Sequence, residues 1–262
     1  MSDHPKKNTV VYEEISTWPD RLEHVIAPTR FQEVRVLLEC NSTQDAARSL
    51  GFGSVVTTGR QIAGRGRRGA AWSDLEGAGI ALSCVVEHTG VAKLSSASVL
   101  AVLDAMNTLG GSFRRVGVKF PNDVVHSDGR KMAGVLVEAH ANLAVIGIGV
   151  NVHALQHEHE FPTLSLEELI PHATRIAMLE ALILALDTRL SQADEVLAHD
   201  FRSCHVLNGC EVELEVSGEL VRGILRDADP FGNVELETDH GKRTLRAEHV
   251  RIQRWLPSSH QS

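Results

Sequence analysis

The sequence predicts an α+β domain, in which helices flank a mixed β-sheet, followed by a small β-barrel domain. Strand-like and helix-like segments alternate through residues 33–204, and several of the strand segments are apolar throughout, which is typical of a buried sheet. From Gly209 onward the pattern changes to short alternating strands separated by Gly and Asp turns. We therefore expect a loose lead-in of residues 1–32 that can include a short helix, a large domain of residues 33–204 and a C-terminal domain of residues 205–262.

The large domain is predicted to begin with two strands that enclose a short helix. Residues 34–40 and the β-branched run of residues 53–61 have the composition of strands. Between them a helix is expected, because Ser42 or Thr43 can cap its start and Gly51 can end it.

Further strands and helices follow in alternation. Residues 79–88 and 142–152 predict buried strands, and residues 93–111 have helical spacing and end in glycines. A second long helix is expected from Ser165 to about His199, because the sequence SLEE at its start is a capping box.

Composition and charge restrict the function classes. The chain has 262 residues and a formal net charge of -8, which disfavours bulk binding to nucleic acid or to an anionic membrane. No apolar run approaches the ~18 residues of a membrane span, and the N-terminus has no secretory signal. Four cysteines without a CxxC pair predict reduced thiols, and so a cytoplasmic protein.

The glycine- and arginine-rich segment of residues 64–69, GRGRRG, is the sharpest local feature. Glycine lets backbone N–H groups converge on a ligand, and the planar guanidinium groups of Arg65, Arg67 and Arg68 suit phosphate or carboxylate. The segment is not a P-loop, because it lacks the GxxxxGK[ST] pattern. Alone it is also compatible with an exposed basic loop or an RNA-binding patch.

Three more motifs follow along the chain. They are KFPND at residues 119–123, GRKMAGVLVE at residues 129–138 and GIGVN at residues 147–151. The pair Asp128-Gly129 predicts a hairpin turn, and the two glycines of GIGVN leave open space in a buried strand. Each motif taken singly also fits an ordinary surface lysine, a hairpin or a strand end.

The ordered set of these four motifs, preceded by NSTQDAA, resembles the catalytic domain of biotin–protein ligases. The resemblance extends over residues 39–151, and more weakly over the following helix and the C-terminal domain. It implies a fold like that of class II aminoacyl-tRNA synthetases and biotin ligases, followed by an SH3-like β-barrel. It also implies an enzyme that forms biotinyl-5′-AMP from biotin and ATP and transfers biotin to a lysine of a biotin carboxyl carrier protein.

The resemblance also implies which residues form the site. Lys119, Arg65 and Arg67 would be catalytic, because they would stabilise charge between the biotin carboxylate and the α-phosphate. The residues implied for biotin are Ser42, Thr43, Gln61, Gly64, Arg65, Arg67, Lys119 and Gly134. The residues implied for the nucleotide are Arg65, Arg67, Arg68, Trp72, Lys119, Asn122, Lys131 and Asn151. ATP and Mg²⁺ are the implied cofactors, with the metal ligands unknown.

The sequence departs from the family pattern at three positions. Gln44 stands where the family has asparagine, Phe120 where it has tryptophan and Ala70 where it often has arginine. These changes put pocket contacts, an indole donor and one loop charge in doubt. They leave the implied lysine, arginines and glutamine in place.

Three alternative functions compete with this interpretation. A lipoate–protein ligase or octanoyltransferase shares the fold, but the latter needs a cysteine nucleophile that no matching loop supplies. A biotin-sensing repressor needs an N-terminal DNA-binding domain, for which about 40 residues are too few. An RNA-binding protein is disfavoured by the net charge of -8. The resemblance is compatible with a homodimer, and the cluster of His153, His157 and His159 is interpreted as solvated surface among 14 histidines.

Overall fold

The structure is a computed structural model that describes residues 15–66, 71–74, 77–110, 113, 115–154 and 162–256. Its helices are α1 (Trp18–Ile26), α2 (Thr43–Arg48), α3 (Val91–Gly110), α4 (Arg175–Leu190) and α5 (Asp194–Ser203). The strands of the large domain are β1 (Glu33–Cys40), β2 (Ser54–Arg65), β3 (Ala71–Asp74), β4 (Gly79–Glu87), β5 (Val116–Lys119), β6 (Asp123–His126), β7 (Lys131–His140) and β8 (Leu143–Asn151). The C-terminal strands are β9 (Glu211–Val216), β10 (Glu219–Ala228), β11 (Asn233–Thr238), β12 (Gly241–Arg246) and β13 (Val250–Leu256).

The large domain is built on one mixed sheet, as the sequence predicts. Its strand order is β1-β2-β4-β8-β7-β6-β5, with β3 paired to β2 outside this path. The β1–β2 pair is parallel and the other pairs are antiparallel. The hairpin expected at Asp128-Gly129 joins β6 to β7, and Gly129 there has a φ of 101°, which favours glycine.

Both faces of the sheet are covered, because successive strand residues point to opposite faces. Val55 and Cys84 contribute to the large core beneath α3 and α4, whereas their neighbours Val56 and Val85 pack with Ala47 of α2 on the other face. Helices therefore flank the sheet on two sides, and the start of α2 lies over the face that forms the site.

The described part of the lead-in is not loose. In α1 the apolar side chains of Trp18, Leu22 and Ile26 recur at intervals of four residues and are buried in the core. The guanidinium of Arg21 donates to both carboxylate oxygens of Glu180 in α4, each at 2.7 Å. The short helix that the lead-in could include is therefore present, and it packs against the large core instead of being loose.

The long helix predicted from Ser165 to His199 is also different in the structure. The expected capping contact exists, since the Ser165 backbone N–H donates to Glu168 at 2.9 Å, but turns follow it instead of a helix. Pro171 and the positive φ of 74° at His172 interrupt helical geometry there. The helical residues form α4, capped by Thr174, and a separate α5.

The C-terminal strands form a second, five-stranded antiparallel sheet in the order β12-β11-β10-β9-β13. Within the described residues, no ladder joins its edge strands β12 and β13. The connection to the large domain lies against β5, because Val118 donates to the Cys204 carbonyl at 2.9 Å and Val206 donates to the Val118 carbonyl at 3.0 Å. Leu207 and Val212 belong to the same apolar cluster as the large domain, so the two sheets share one core.

Candidate active site

A cavity of about 650 Å³ lies over the face of the first sheet and is closed on one side by β13 of the second sheet. This volume suits an organic ligand of moderate size. Most of the residues implied for the site line it: Ser42, Thr43, Gln61, Arg65, Trp72, Lys119, Asn122, Lys131 and Gly134. Gly64 and Asn151 do not line the cavity, and Arg67 and Arg68 lie outside the described residues.

One end of the cavity, which we call the neutral end, consists of Ser42, Thr43, Gln61 and Ser83. The Oε1 atom of Gln61 accepts from the Thr43 backbone N–H at 2.9 Å and from the Thr43 hydroxyl at 3.1 Å. The Thr43 hydroxyl also lies 2.8 Å from the Ser83 hydroxyl. All four side chains are buried and uncharged. This end can therefore recognise a neutral polar ring through donors and acceptors in fixed positions.

Ser83 was not predicted from the sequence. It lies on β4, one of the strands whose described side chains are almost entirely buried, and it is a polar residue within an apolar run. A fully buried hydroxyl in such a strand needs a partner, and the network with Thr43 supplies it. A single serine in an otherwise apolar strand was the sequence feature that could have identified Ser83 as a site residue.

The two glycines of the GIGVN motif form the floor of the cavity. The space left by their missing side chains is occupied by side chains from other elements of the fold. A methyl group at Gly149 would come within 2.3 Å of the Trp72 indole, so the indole lies directly on the backbone of β8. At Gly147 the same addition would meet the amide carbon of Gln44 at 2.8 Å. The Gln44 amide donates to the Leu136 carbonyl at 3.3 Å. Gln44, a departure from the family pattern, thus occupies the space that Gly147 leaves.

The opposite end, which we call the charged end, consists of Lys119, Asp123 and Lys131. The Lys131 ammonium lies 2.7 Å from Oδ1 of Asp123, whereas the Lys119 ammonium lies 3.9 Å from Oδ2 of the same carboxylate. Burial lowers the pKa of Lys119, an effect that Asp123 opposes and that Lys131 reinforces. Two cations that share one carboxylate leave a net positive charge, which suits an anionic ligand.

Gly134 on β7 makes room for this arrangement. A methyl group there would lie 2.9 Å from the Lys131 ammonium and 3.6 Å from Oδ1 of Asp123. The Lys131 ammonium also lies 5.8 Å from the centre of a Trp72 ring. The Lys131 side chain, from the start of β7, therefore passes beside Gly134 of the same strand to reach Asp123. A larger residue at position 134 would obstruct this path.

The charged end is supported from behind by the connection between the domains. The Phe120 backbone N–H donates to Nε2 of His205 at 3.1 Å, and the Phe120 ring packs edge-on against Phe201 at 6.4 Å between ring centres. Burial lowers the pKa of His205 to about 4, so the imidazole is neutral and can accept this bond. His205 was not predicted from the sequence, because nothing in the chain distinguishes it among 14 histidines.

Arg65 is at the neutral end of the cavity and already has a carboxylate partner. Its guanidinium makes two bonds of 2.7 Å to Asp45 of α2 and lies 3.7 Å from Glu138. The hydrogen bonds from Arg65 lower the pKa of Asp45. This pair ties the end of β2 to the helix that carries Thr43, so it fixes two walls of the neutral end relative to each other.

Asn151 lies below the cavity surface. Its amide donates to the Lys131 carbonyl at 3.0 Å, and its side chain is buried beside the start of β7. In this position it holds the segment that carries Lys131.

Carboxylates near the cavity are few. Among the described residues no group of three or more His, Cys, Asp or Glu side chains could hold a metal ion. Asp123 and Asp128 do line the cavity. Mg²⁺ is commonly held by one or two carboxylates together with substrate phosphates, so these residues fit an ion that arrives with a nucleotide.

Comparisons with known proteins show to which family the chain is similar. Residues 37–152 match the model of the biotin/lipoate A/B protein ligase family. The chain is 36% identical over 206 residues to the biotin–[acetyl-CoA-carboxylase] ligase of Mycobacterium tuberculosis, which covers 74% of this chain and 76% of that protein. It is 31% identical over 195 residues to the bifunctional ligase/repressor BirA of Escherichia coli, of which it covers 60%.

The fold is also similar to that of solved biotin protein ligases. The biotin protein ligase of Aquifex aeolicus, solved in complex with biotin and ATP, superposes with a TM-score of 0.76 at 23% identity. The match covers 86% of this chain and all of that one. Fold, site and sequence similarity together define a ligase of the biotin/lipoate A/B class. Within that class, the chain belongs to the biotin protein ligase family. No helix among the described residues is long and apolar enough to cross a membrane.

Proposed function

We propose that the protein joins biotin to ATP as biotinyl-5′-AMP in this cavity and then transfers biotin to a lysine of a biotin carboxyl carrier protein. The observation that carries the proposal is the arrangement of one cavity with a neutral polar end and a cationic end. Biotin has the same division, with an uncharged ureido ring at one end and a carboxylate at the other. The family membership supports the same conclusion.

In the first half-reaction, a biotin carboxylate oxygen attacks the α-phosphorus of ATP. An oxygen–phosphorus bond forms, the bond from the α-phosphorus to the bridging oxygen breaks, and pyrophosphate leaves. Both reactants are anions, so their repulsion contributes to the barrier. Lys119 and Lys131 reduce that repulsion from fixed positions at the charged end, and the loop residues Arg67 and Arg68 are proposed to add charge. The chain's main contribution is positioning and electrostatics.

At the other end, Thr43 and Gln61 are proposed to bind the ureido ring, with Ser42 beside them. Thr43 donates to the Gln61 oxygen, so the amide nitrogen of Gln61 is directed toward Gly64. A methyl group at Gly64 would lie 2.1 Å from that nitrogen. The amide orientation is thereby fixed before the ligand arrives. A fixed donor costs little entropy on binding, which favours affinity.

The nucleotide is proposed to lie between Trp72 and the charged end, with Asn122 beside the phosphates. Asn151 was assigned to the nucleotide by the resemblance, and its amide nitrogen could donate to the nucleotide only after it leaves the Lys131 carbonyl. Magnesium, bound with the phosphates, would screen their charge and polarise the leaving group.

In the second half-reaction, the carrier's lysine amine attacks the carbonyl carbon of the mixed anhydride. The new carbon–nitrogen bond replaces the bond to the phosphate oxygen, AMP leaves, and the amine loses a proton.

We also propose that residues 33–204 form a class II synthetase-like catalytic domain and residues 205–262 an SH3-like barrel domain. The boundary is supported by the connection at His205, which separates the two sheets, and the second domain by its five short antiparallel strands.

The test is to compare biotin, lipoate and octanoate as the acid, with MgATP and the purified full-length chain. Acid-dependent release of pyrophosphate is measured first, and labelling of an apo carrier protein second. We expect release and labelling with biotin alone. Release with lipoate in place of biotin would assign the chain to the lipoate branch of the family, and no release with any acid would refute the proposal.

A further inference from the structure

Trp255, near the C-terminal end of β13, contacts the lysine at which acid activation is proposed. The Lys119 ammonium lies 4.5 Å from the centre of a Trp255 ring. Cation–π attraction operates within about 6 Å of a ring centre and is strongest for tryptophan. The residue comes from the second sheet, in which Trp255 pairs with Val212 of β9. No motif of the sequence pointed to it.

Asp123 compensates the charge of Lys119 only in part. The carboxylate makes its short contact of 2.7 Å with Lys131 and stands 3.9 Å from Lys119. The Lys119 side chain is only 19% exposed, so water compensates little of its charge. The indole face of Trp255 is the group that covers the ammonium on the side of the second domain.

The indole lies between elements of both domains. A methyl group at Gly129 would lie 3.5 Å from Cζ2 of Trp255, so the ring lies beside the β6–β7 turn of the large domain. Trp255 also lines a smaller cavity of about 170 Å³ with Glu213, Arg222 and Arg254. The ring is therefore a partition between the large cavity and this small one, and its position depends on how the two domains pack.

We propose that Trp255 is a positioning residue for Lys119: its indole face holds the ammonium in the cavity, so the C-terminal domain sets the geometry of acid activation. This inference rests on the proposed function. A tryptophan that served only to pack the domains together would require apolar volume, whereas one that holds a cation requires an aromatic face. The two roles therefore predict different tolerance to substitution.

The test uses the full-length chain and biotin-dependent exchange of labelled pyrophosphate into ATP. Trp255→Phe keeps an aromatic face, and Trp255→Leu and Trp255→Met keep apolar volume without one. We expect kcat to fall about tenfold in the leucine and methionine variants and two- to threefold in the phenylalanine variant. Leu220→Ala, at a position 63% exposed in the same domain, is the control and should exchange like the wild type.

The pH profile adds a readout that packing alone would not move. Leucine and methionine keep Lys119 buried but remove the attraction of the ring, so the alkaline limb of kcat should move to lower pH in those variants and stay near the wild-type position in Trp255→Phe. Thermal unfolding shows which variants keep the wild-type fold, and the comparison is made among these. Equal rates and equal alkaline limbs in the aromatic and aliphatic variants would overturn the inference. An inactive wild type would instead refute the proposed function.

Discussion

The neutral end and the charged end of the cavity differ in where their residues come from. Gln61 and Ser83 lie on strands of the first sheet and Thr43 on the helix α2 packed against it, and the three hold one another through uncharged hydrogen bonds. The charged end takes Lys119 and Lys131 from one hairpin system, but it also needs Trp255 from the second domain. Under the proposed function, ring recognition would be a property of one domain, whereas acid activation would depend on the contact between two.

The largest effect is expected at the charged end. Lys119→Met should lower kcat for adenylate formation by about a thousandfold, because the lysine stabilises charge that develops in the transition state. The measurement is biotin-dependent pyrophosphate exchange at saturating substrates. Lys93→Met removes a lysine that is paired with Asp194 outside the cavity and should leave kcat unchanged. A Lys119→Met enzyme that retains most of its rate would show that the charged end is misassigned.

The second effect concerns the stability of the structure behind the charged end. The pKa of His205 is lowered by burial to about 4, against about 6.5 for an exposed histidine. The unfolded chain therefore binds the proton more tightly, so the contribution of His205 is present above pH 6.5 and is lost as the pH falls toward 4. The loss should amount to about 3 kcal/mol in the free energy of unfolding.

Urea unfolding at several pH values tests this expectation. His205→Gln can still accept from the Phe120 N–H but does not titrate. The difference in unfolding free energy between wild type and variant should therefore change between pH 6.5 and 4 and stay constant above that window. A constant difference throughout would mean that the imidazole is not held neutral.

A smaller effect, in a different kinetic parameter, is expected at the neutral end. Thr43→Val keeps the shape of the side chain but removes the hydroxyl that donates to Gln61. The KM for biotin should rise about tenfold, because the Gln61 oxygen loses one of its two donors and the buried Ser83 hydroxyl loses its partner, while the KM for MgATP stays the same. Thr108→Val, whose hydroxyl bonds within its own helix, is the matched control. An equal rise in both KM values would remove the distinction between the two ends.

The smallest effect is expected from the pair of Arg65 and Asp45. Exposed ion pairs contribute about 0.2–1 kcal/mol, so Asp45→Asn should raise the KM for biotin by about two- to fivefold. The same substitution in the surface pair of Arg30 and Asp187 should have no kinetic effect. The exchanged pair Asp45→Arg with Arg65→Asp should recover part of the loss. A double variant much worse than either single one would indicate that the Arg65 guanidinium contacts the substrate directly.

The resemblance implied residues that the structure mostly brings together around one cavity, and their motifs lie at strand ends and turns. Lys119 ends β5 and Lys131 follows the turn at Gly129, so short-range patterns were enough to place both on one hairpin system. The mixed sheet was predicted for the same reason, since its strands are apolar runs bounded by turn residues.

The remaining features depend on contacts that are distant in the chain. Trp255 meets Lys119, and His205 meets Phe120, only because the second domain packs against β5. The error at Ser165 has a local cause: the capping contact formed, but Pro171 interrupted the helix that it should have started. Arg65 was expected to contact anionic groups of the substrate, and in the structure it pairs with Asp45. This pair could not be predicted from the sequence, because it depends on how α2 packs on the sheet.

The most direct test of the central claim is to identify what the protein holds after incubation with biotin and MgATP in the absence of a carrier protein. Mass spectrometry of the bound ligand and quantification of the released phosphates are made on the same sample. We expect biotinyl-5′-AMP bound to the protein and an equal amount of pyrophosphate released, with both lost in Lys119→Met. ADP and inorganic phosphate as products, or pyrophosphate without an adenylate of biotin, would contradict it.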